Sequence, residues 1–151
     1  YLGMSLASGE QILDSGAKVI CLADNTSAMI RSKSVAKNGG VSMTKTLAKV
    51  GEGVKGVKAY IDCKSLILDS ESRSYAEPMV DVNSGEAEVT HEASVGKLSE
   101  EILYYLATRG IGEEKAKEIL IRGFSEEITK ALPLEYAMEM NNLIKLEMQN
   151  G

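Results

Sequence analysis

Val57-Lys58-Ala59-Tyr60-Ile61-Asp62-Cys63-Lys64 is the stretch on which the fold turns. Val57, Ala59, Ile61 and Cys63 alternate with Lys58, Tyr60, Asp62 and Lys64, and a period of two belongs to a strand with one face inside and one outside. Ala87, Val89, His91 and Ala93 repeat the pattern. Everything up to about Leu98 is likewise rich in Val, Ile, Ser, Thr and Gly in short apolar runs, with no helical stripe. Turn signals at Asp14-Ser15-Gly16, Asp24-Asn25-Thr26, Asn38-Gly39-Gly40, Gly51-Glu52-Gly53, Asp69-Ser70 and Asn83-Ser84-Gly85 separate the runs at irregular, solenoid-like spacing. Stacked coils account for this punctuation, but a sandwich or a barrel carries it equally well.

After Leu98 the period changes. Ser99 is placed to cap a helix that opens with Glu100 and Glu101, continues through Ile102, Leu103 and Leu106, and ends near Gly110. A second helix is predicted from Glu113 to Arg122, with Ala116, Ile119 and Leu120 on one side and Gly123 as its stop. Ser125 is expected to cap a short third one. Pro133 suits a first helical position, and Ala137, Met140, Ile144 and Met148 recur at steps of three or four in a final amphipathic helix. Met138, Met140 and Met148 are read as core filling.

Composition narrows the function. The chain has 151 residues, 44% of them hydrophobic and 5% aromatic, with no tryptophan, so an aliphatic core of Ile, Leu, Val, Ala and Met is expected. A net charge of -5 without a dense basic run argues against nucleic acid as a partner. Apolar stretches such as Ala17 to Ala23 are broken by Lys18 and stop at Asp24, short of the roughly 20 residues that cross a bilayer. Two cysteines and no visible leader point to the reducing cytoplasm. A chain that opens at Tyr1 and enters strand-like sequence at once is expected to continue on its N-terminal side.

Few residues carry chemistry. The single histidine is His91, no Gly-x-Ser-x-Gly elbow is present, and a Cys63 and His91 dyad is the weak remainder for nucleophilic catalysis. No phosphate-binding Gly-x-x-x-x-Gly-Lys-Ser/Thr loop occurs, so nucleotide chemistry is expected in another subunit. Cys21, Cys63 and His91 are too far apart in sequence for a complete zinc site. An incomplete site fits better: thiolate, imidazole and carboxylate all ligate iron, a labile cluster takes further ligands from a second subunit, and Cys63, His91 and Glu92 are the candidates. Ordinary burial competes for Cys63 and His91, which share a face with small apolar residues, and Cys21 reads as core.

The run from His91 through Glu92-Ala93-Ser94-Val95-Gly96-Lys97-Leu98-Ser99-Glu100-Glu101, then Leu103-Tyr104-Tyr105-Leu106, Arg109-Gly110-Ile111 and Ile121-Arg122-Gly123-Phe124, resembles the C-terminal signature of the SufB/SufD family. Leu132-Pro133-Leu134-Glu135-Tyr136-Ala137 and Cys63-Lys64-Ser65-Leu66 resemble the SufB branch. The resemblance runs from about Ile30 to Met148 and leaves the first thirty residues unassigned. It implies a mainly β chain with a helical C-terminus, namely the C-terminal part of a right-handed parallel β-helix core over residues 1–98 followed by a small helical ATPase-docking domain over residues 99–151.

The same resemblance implies a non-enzymatic scaffold for iron-sulfur cluster assembly. Such a scaffold holds a transient cluster, pairs through its β-helix as a homodimer or with a SufD-like paralogue, and meets ATP only through a SufC-type ABC ATPase. Cys63 would then be a cluster or sulfur-handling thiolate, His91 and Glu92 would lie near the subunit interface, and the stretch from Ile102 to Phe124 would face SufC. Where the SufB pattern often has a carboxylate immediately before the histidine, this chain has Thr90, which leaves Cys63, His91 and Glu92 as the ligand set. The alternative is a β-helical regulatory subunit that docks an ABC-type ATPase and holds no cluster.

Overall fold

The computed structural model describes residues 1–149. Seven strands come first: β1 (Leu2–Ser8), β2 (Ile12–Cys21), β3 (Ser27–Lys37), β4 (Val41–Val50), β5 (Lys58–Ile67), β6 (Arg73–Val82) and β7 (Glu88–Lys97). Three helices follow: α1 (Glu100–Thr108), α2 (Glu113–Ala131) and α3 (Leu134–Gln149). The odd strands form one parallel sheet in the order β1-β3-β5-β7, and the even strands a second in the order β2-β4-β6. Leu2 pairs with Arg31 and Val41 with Arg73, so each turn of the coil takes about 30 residues. The strands therefore form the stacked coils of a parallel β-helix, and the sandwich and barrel drop out. The last two residues of the predicted 99–151 unit lie outside the described residues.

The corners follow the turn chemistry, with one exception. Asn38 adopts a left-handed φ of 52° and leads into Gly39 at 85°, and the next corner locks to this one through Asp69, which accepts from Asn38 N at 2.6 Å and from Ser72 N and Oγ at 2.8 Å each. Burial alone would push the Asp69 carboxyl up, but the hydrogen bonds from Ser72, Asn38 and Glu71 outweigh it and hold the group below its ordinary range. Asp14-Ser15-Gly16, expected as a turn, instead lies inside β2. There a Cβ on Gly16 would collide with the Lys45 carbonyl, and Asp14 pairs with Lys45 at 2.7 Å. The glycine marks close approach of two strands rather than a bend.

Between the sheets, Val57, Ala59, Ile61 and Cys63 are all buried, as the alternation requires. Ile30, Ala48, Ala59, Ile61 and Cys63 form one cluster, and Cys21, Val50, Val54 and Val57 another, which places Cys21 in the core. The lumen departs from the aliphatic expectation, because Ser32, Ser34, Ser42, Thr44, Thr46 and Ser65 are buried too. Small hydroxyls suit a narrow lumen in which stacked coils bring one onto another, as in the 2.8 Å contact of Ser34 with Ser65.

The helices fold back onto the outer face of the odd-stranded sheet. Ile121, Ile144 and Met148 pack with Val35, flanked by Leu6, Leu66, Phe124 and Met140. Met138, expected to fill the core, is exposed. Ser99 caps α1, accepting from Ile102 N at 3.4 Å. Gly123 does not end α2, and Ser125 caps nothing: the helix runs on to Ala131. Ile121, Ser125 and Ile128 are buried along one stripe, and that packing outweighs the cost of about 1 kcal/mol for a glycine in mid-helix. Ile119, expected on the packed side, is exposed.

Candidate functional site

β5 and β7 are hydrogen-bonded neighbours in strict register. Ile61 pairs with His91, Asp62 with Glu92 and Cys63 with Ala93. Paired residues of a parallel ladder point to the same side, so His91 and Cys63 both face the lumen, on adjacent strands and two positions apart. Strand spacing and rise put their Cα atoms about 8 Å apart. Glu92 faces the other way, and its carboxylate accepts from the Tyr60 hydroxyl at 3.4 Å. Of the three predicted residues, two share a face and the third lies behind them. Among the described residues no three His, Cys, Asp or Glu side chains converge as a metal-binding group.

Cover separates the two lumen residues. Cys63 is 1% exposed, walled in by Ile30, Ala48, Ala59 and Ile61, with its sulfur 3.6 Å from the Thr46 hydroxyl. Burial pushes its thiol up, the Thr46 hydrogen bond offsets part of the rise, and the neighbouring Asp62 carboxylate adds to it. The group is therefore a thiol at neutral pH. His91 is exposed even though it stands in register with the buried Ile61, because among the described residues the even-stranded sheet stops at β6 and no strand beyond it closes the lumen over β7. The terminal coil is open: Val80 and Val82 on β6 and Val95 on β7, all on the lumen side, are apolar side chains in contact with solvent.

A soft thiolate and an imidazole are a donor pair suited to iron. Here they approach from one side of one sheet, with the remaining directions left to other groups. The imidazole is accessible as it stands, whereas the thiol has to be uncovered and deprotonated first.

Sequence reasoning missed the polar network behind this pair. Arg31 and Lys33 on β3 meet Glu127 of α2, and Lys33 Nζ also donates to the Phe124 carbonyl at 2.8 Å. The visible signal was three cations, Arg31, Lys33 and Lys37, at odd positions of one strand. On α1, by contrast, nothing is buried: Ile102, Tyr104 and Tyr105 face solvent, and Arg109 lies 5.4 Å from the Tyr105 ring. No helix among the described residues is long and apolar enough to cross a membrane.

Comparison with known proteins places this architecture. Residues 1–124 match the family described as SUF system FeS cluster assembly, SufBD core domain. The match takes in the first thirty residues, which the motifs left unassigned. An iron-sulfur cluster assembly SufBD family protein of Staphylococcus epidermidis (strain ATCC 12228 / FDA PCI 1200) is 48% identical over 150 residues, covering 99% of this chain and 32% of the relative. SufBD family proteins of Staphylococcus aureus strains USA300 and NCTC 8325 are 47% identical with the same coverage. The chain thus spans about a third of the length of the curated relatives it matches. With its parallel coils, its helical tail and this identity over nearly its whole length, the chain belongs to the SufBD family of iron-sulfur cluster assembly proteins.

Proposed function

We propose that this chain is the cluster-holding end of a SufB-like scaffold, with the nascent iron-sulfur cluster as its cargo. Cys63 and His91 supply ligands from the lumen side of β5 and β7, and Glu92 serves at the rim. One observation carries the reading: the chain's sole histidine is exposed beside a buried thiol, on the same side of adjacent strands, at the open coil of the helix. The open coil also offers an unpaired β7 edge and apolar side chains to a second β-helix, identical or SufD-like, which would complete the ligand set. The exposed face of α1, with Ile102, Tyr104 and Tyr105, is the surface for a SufC-type ABC ATPase, through which alone ATP enters the cycle. The buried part of α2 is taken up by the β-helix and belongs to the coupling between the two. Such a protein is a scaffold rather than a catalyst, and the cytoplasm is its expected compartment.

Anaerobic reconstitution with iron and sulfide tests the reading. Cys63→Ala and His91→Ala should each lower cluster yield strongly, and Glu92→Ala less. Unchanged yield in the first two variants overturns it. A second reading, a regulatory subunit without a cluster, is favoured by the burial of Cys63 and its raised thiol pKa. Cys63 that still resists alkylation in the nucleotide-bound ATPase complex would establish that alternative.

A further inference from the structure

Contact between the helices and the odd-stranded sheet changes character along the strands. Towards their C-terminal ends it is apolar, around Val35, Ile121, Ile144 and Met148, and Lys37 closes it by donating to the Glu147 carbonyl. Towards their middle it is ionic: Glu127 takes Arg31 through one carboxylate oxygen and Lys33, at 3.3 Å, through the other. The ionic part lies directly behind the candidate site. Arg31, Asp62 and Glu92 form one register row on the outer face, between the inner rows that hold His91 and Cys63.

Two atoms in that row are out of place. Asp62 Oδ1 and Arg31 Nε are both buried and both lack a hydrogen-bond partner. They are complementary, and they sit on paired residues of adjacent strands about 5 Å apart at Cα. Nevertheless Arg31 reaches away to Glu127, with its guanidinium 5.9 Å from the Tyr60 ring, while Asp62 keeps only Lys64 at 3.2 Å. A buried donor and a buried acceptor left unmet on paired residues are costly, and a second pairing between them would satisfy both.

We propose that Arg31 is a two-position arm that holds Glu127 while α2 lies on the sheet and transfers to Asp62 when α2 lifts. The transfer gives Arg31 and the unmet oxygen of Asp62 a partner as the helix-side contact is lost, and so relays movement of the helical tail to the strand that carries the thiol. Apolar packing at the other end acts as the hinge. The device rests on the reading that Cys63 works at the terminal coil and adds the element that uncovers it.

Iodoacetamide labelling of the full-length protein, read peptide by peptide by mass spectrometry, tests the arm without iron. Cys21, buried in β2 of the other sheet, reports any general loosening. Glu127→Gln should speed labelling of Cys63 about fivefold and leave Cys21 unchanged. Adding Asp62→Ala should return Cys63 towards the wild-type rate, because Arg31 then has no second partner. Should that double variant fold poorly, salt provides the same test: raising it to about 1 M should speed Cys63 labelling in the wild type but not in Glu127→Gln. Equal acceleration at Cys21 and Cys63, no acceleration in Glu127→Gln, or a salt response that survives in that variant overturns the proposal. Because no cluster is involved, failure here leaves the ligand assignment standing, and failure of reconstitution leaves the arm standing.

Discussion

β5 and β7 are the same strand twice, and only one of them is inside the protein. Both have 10 residues, both alternate small apolar and polar side chains, and they pair residue for residue from Lys58 with Glu88 to Ile67 with Lys97. Ala59, Ile61 and Cys63 are nevertheless buried, while His91, Ala93 and Val95 on the matching face are exposed. The difference comes from what stands opposite: β5 has both β4 and β6 across the lumen, whereas β7 has only β6 among the described residues. A residue pattern therefore decides which face a side chain takes, and the neighbouring coil decides whether that face is core or surface.

The sharpest way to break this comparison is to truncate one matched pair. Ile61→Ala should cost about 3 kcal/mol of unfolding free energy, because it empties a fully buried site. His91→Ala, in register with it, should change stability by less than about 0.5 kcal/mol. Urea denaturation of the two variants checks both values, and similar losses would mean that β7 is covered after all.

A second comparison uses pH. The folded state holds the Cys63 proton more tightly than the unfolded chain does, because the thiol is raised above its usual 9.0. The resulting stabilisation is complete below the ordinary thiol value. It falls as pH rises towards the folded value, by at most about 1.4 kcal/mol per pH unit. Cys63→Ala should flatten that alkaline decline in a urea midpoint series, and an unchanged slope would mean that the thiol is already accessible.

A smaller effect is expected at the corners. Asp69 is held below the usual carboxylate range, so its contribution is present above the unfolded value and is lost as pH falls through the folded one. Asp69→Asn should cost about 1 kcal/mol at neutral pH and less in acid, where the wild-type carboxyl is itself protonated. Thermal melts at both pH values measure it, and a pH-independent loss would assign the effect to the corner backbone instead.

The same contrast explains what was legible in the sequence. Period-two alternation put Cys63 and His91 on one face, because that relation is local and a one-residue slip would reverse it. Coil stacking was not legible from the pattern, since a sandwich uses identical strands and turns, and the His91 to Phe124 motifs carried that step. Exposure of His91 depends on β6 being the last strand of the even-stranded sheet among the described residues, which no residue near His91 encodes. Gly123 and Asp14-Ser15-Gly16 misled for a related reason: a glycine signals a stop or a turn locally, whereas here burial of Ile121 and Ile128, and close approach to Lys45, decide its role. The contact of Arg31 with Glu127 spans 96 residues and lay beyond any local reading.

Central to the account is the proposal that the His91 imidazole ligates the cargo. Reconstituting the cluster on protein labelled with 15N-histidine, with any partner unlabelled, and on its His91→Ala variant reads this directly by pulsed electron paramagnetic resonance of the reduced cluster. A 15N hyperfine coupling that disappears in His91→Ala is the predicted result, and a fully loaded cluster with no histidine coupling would contradict it.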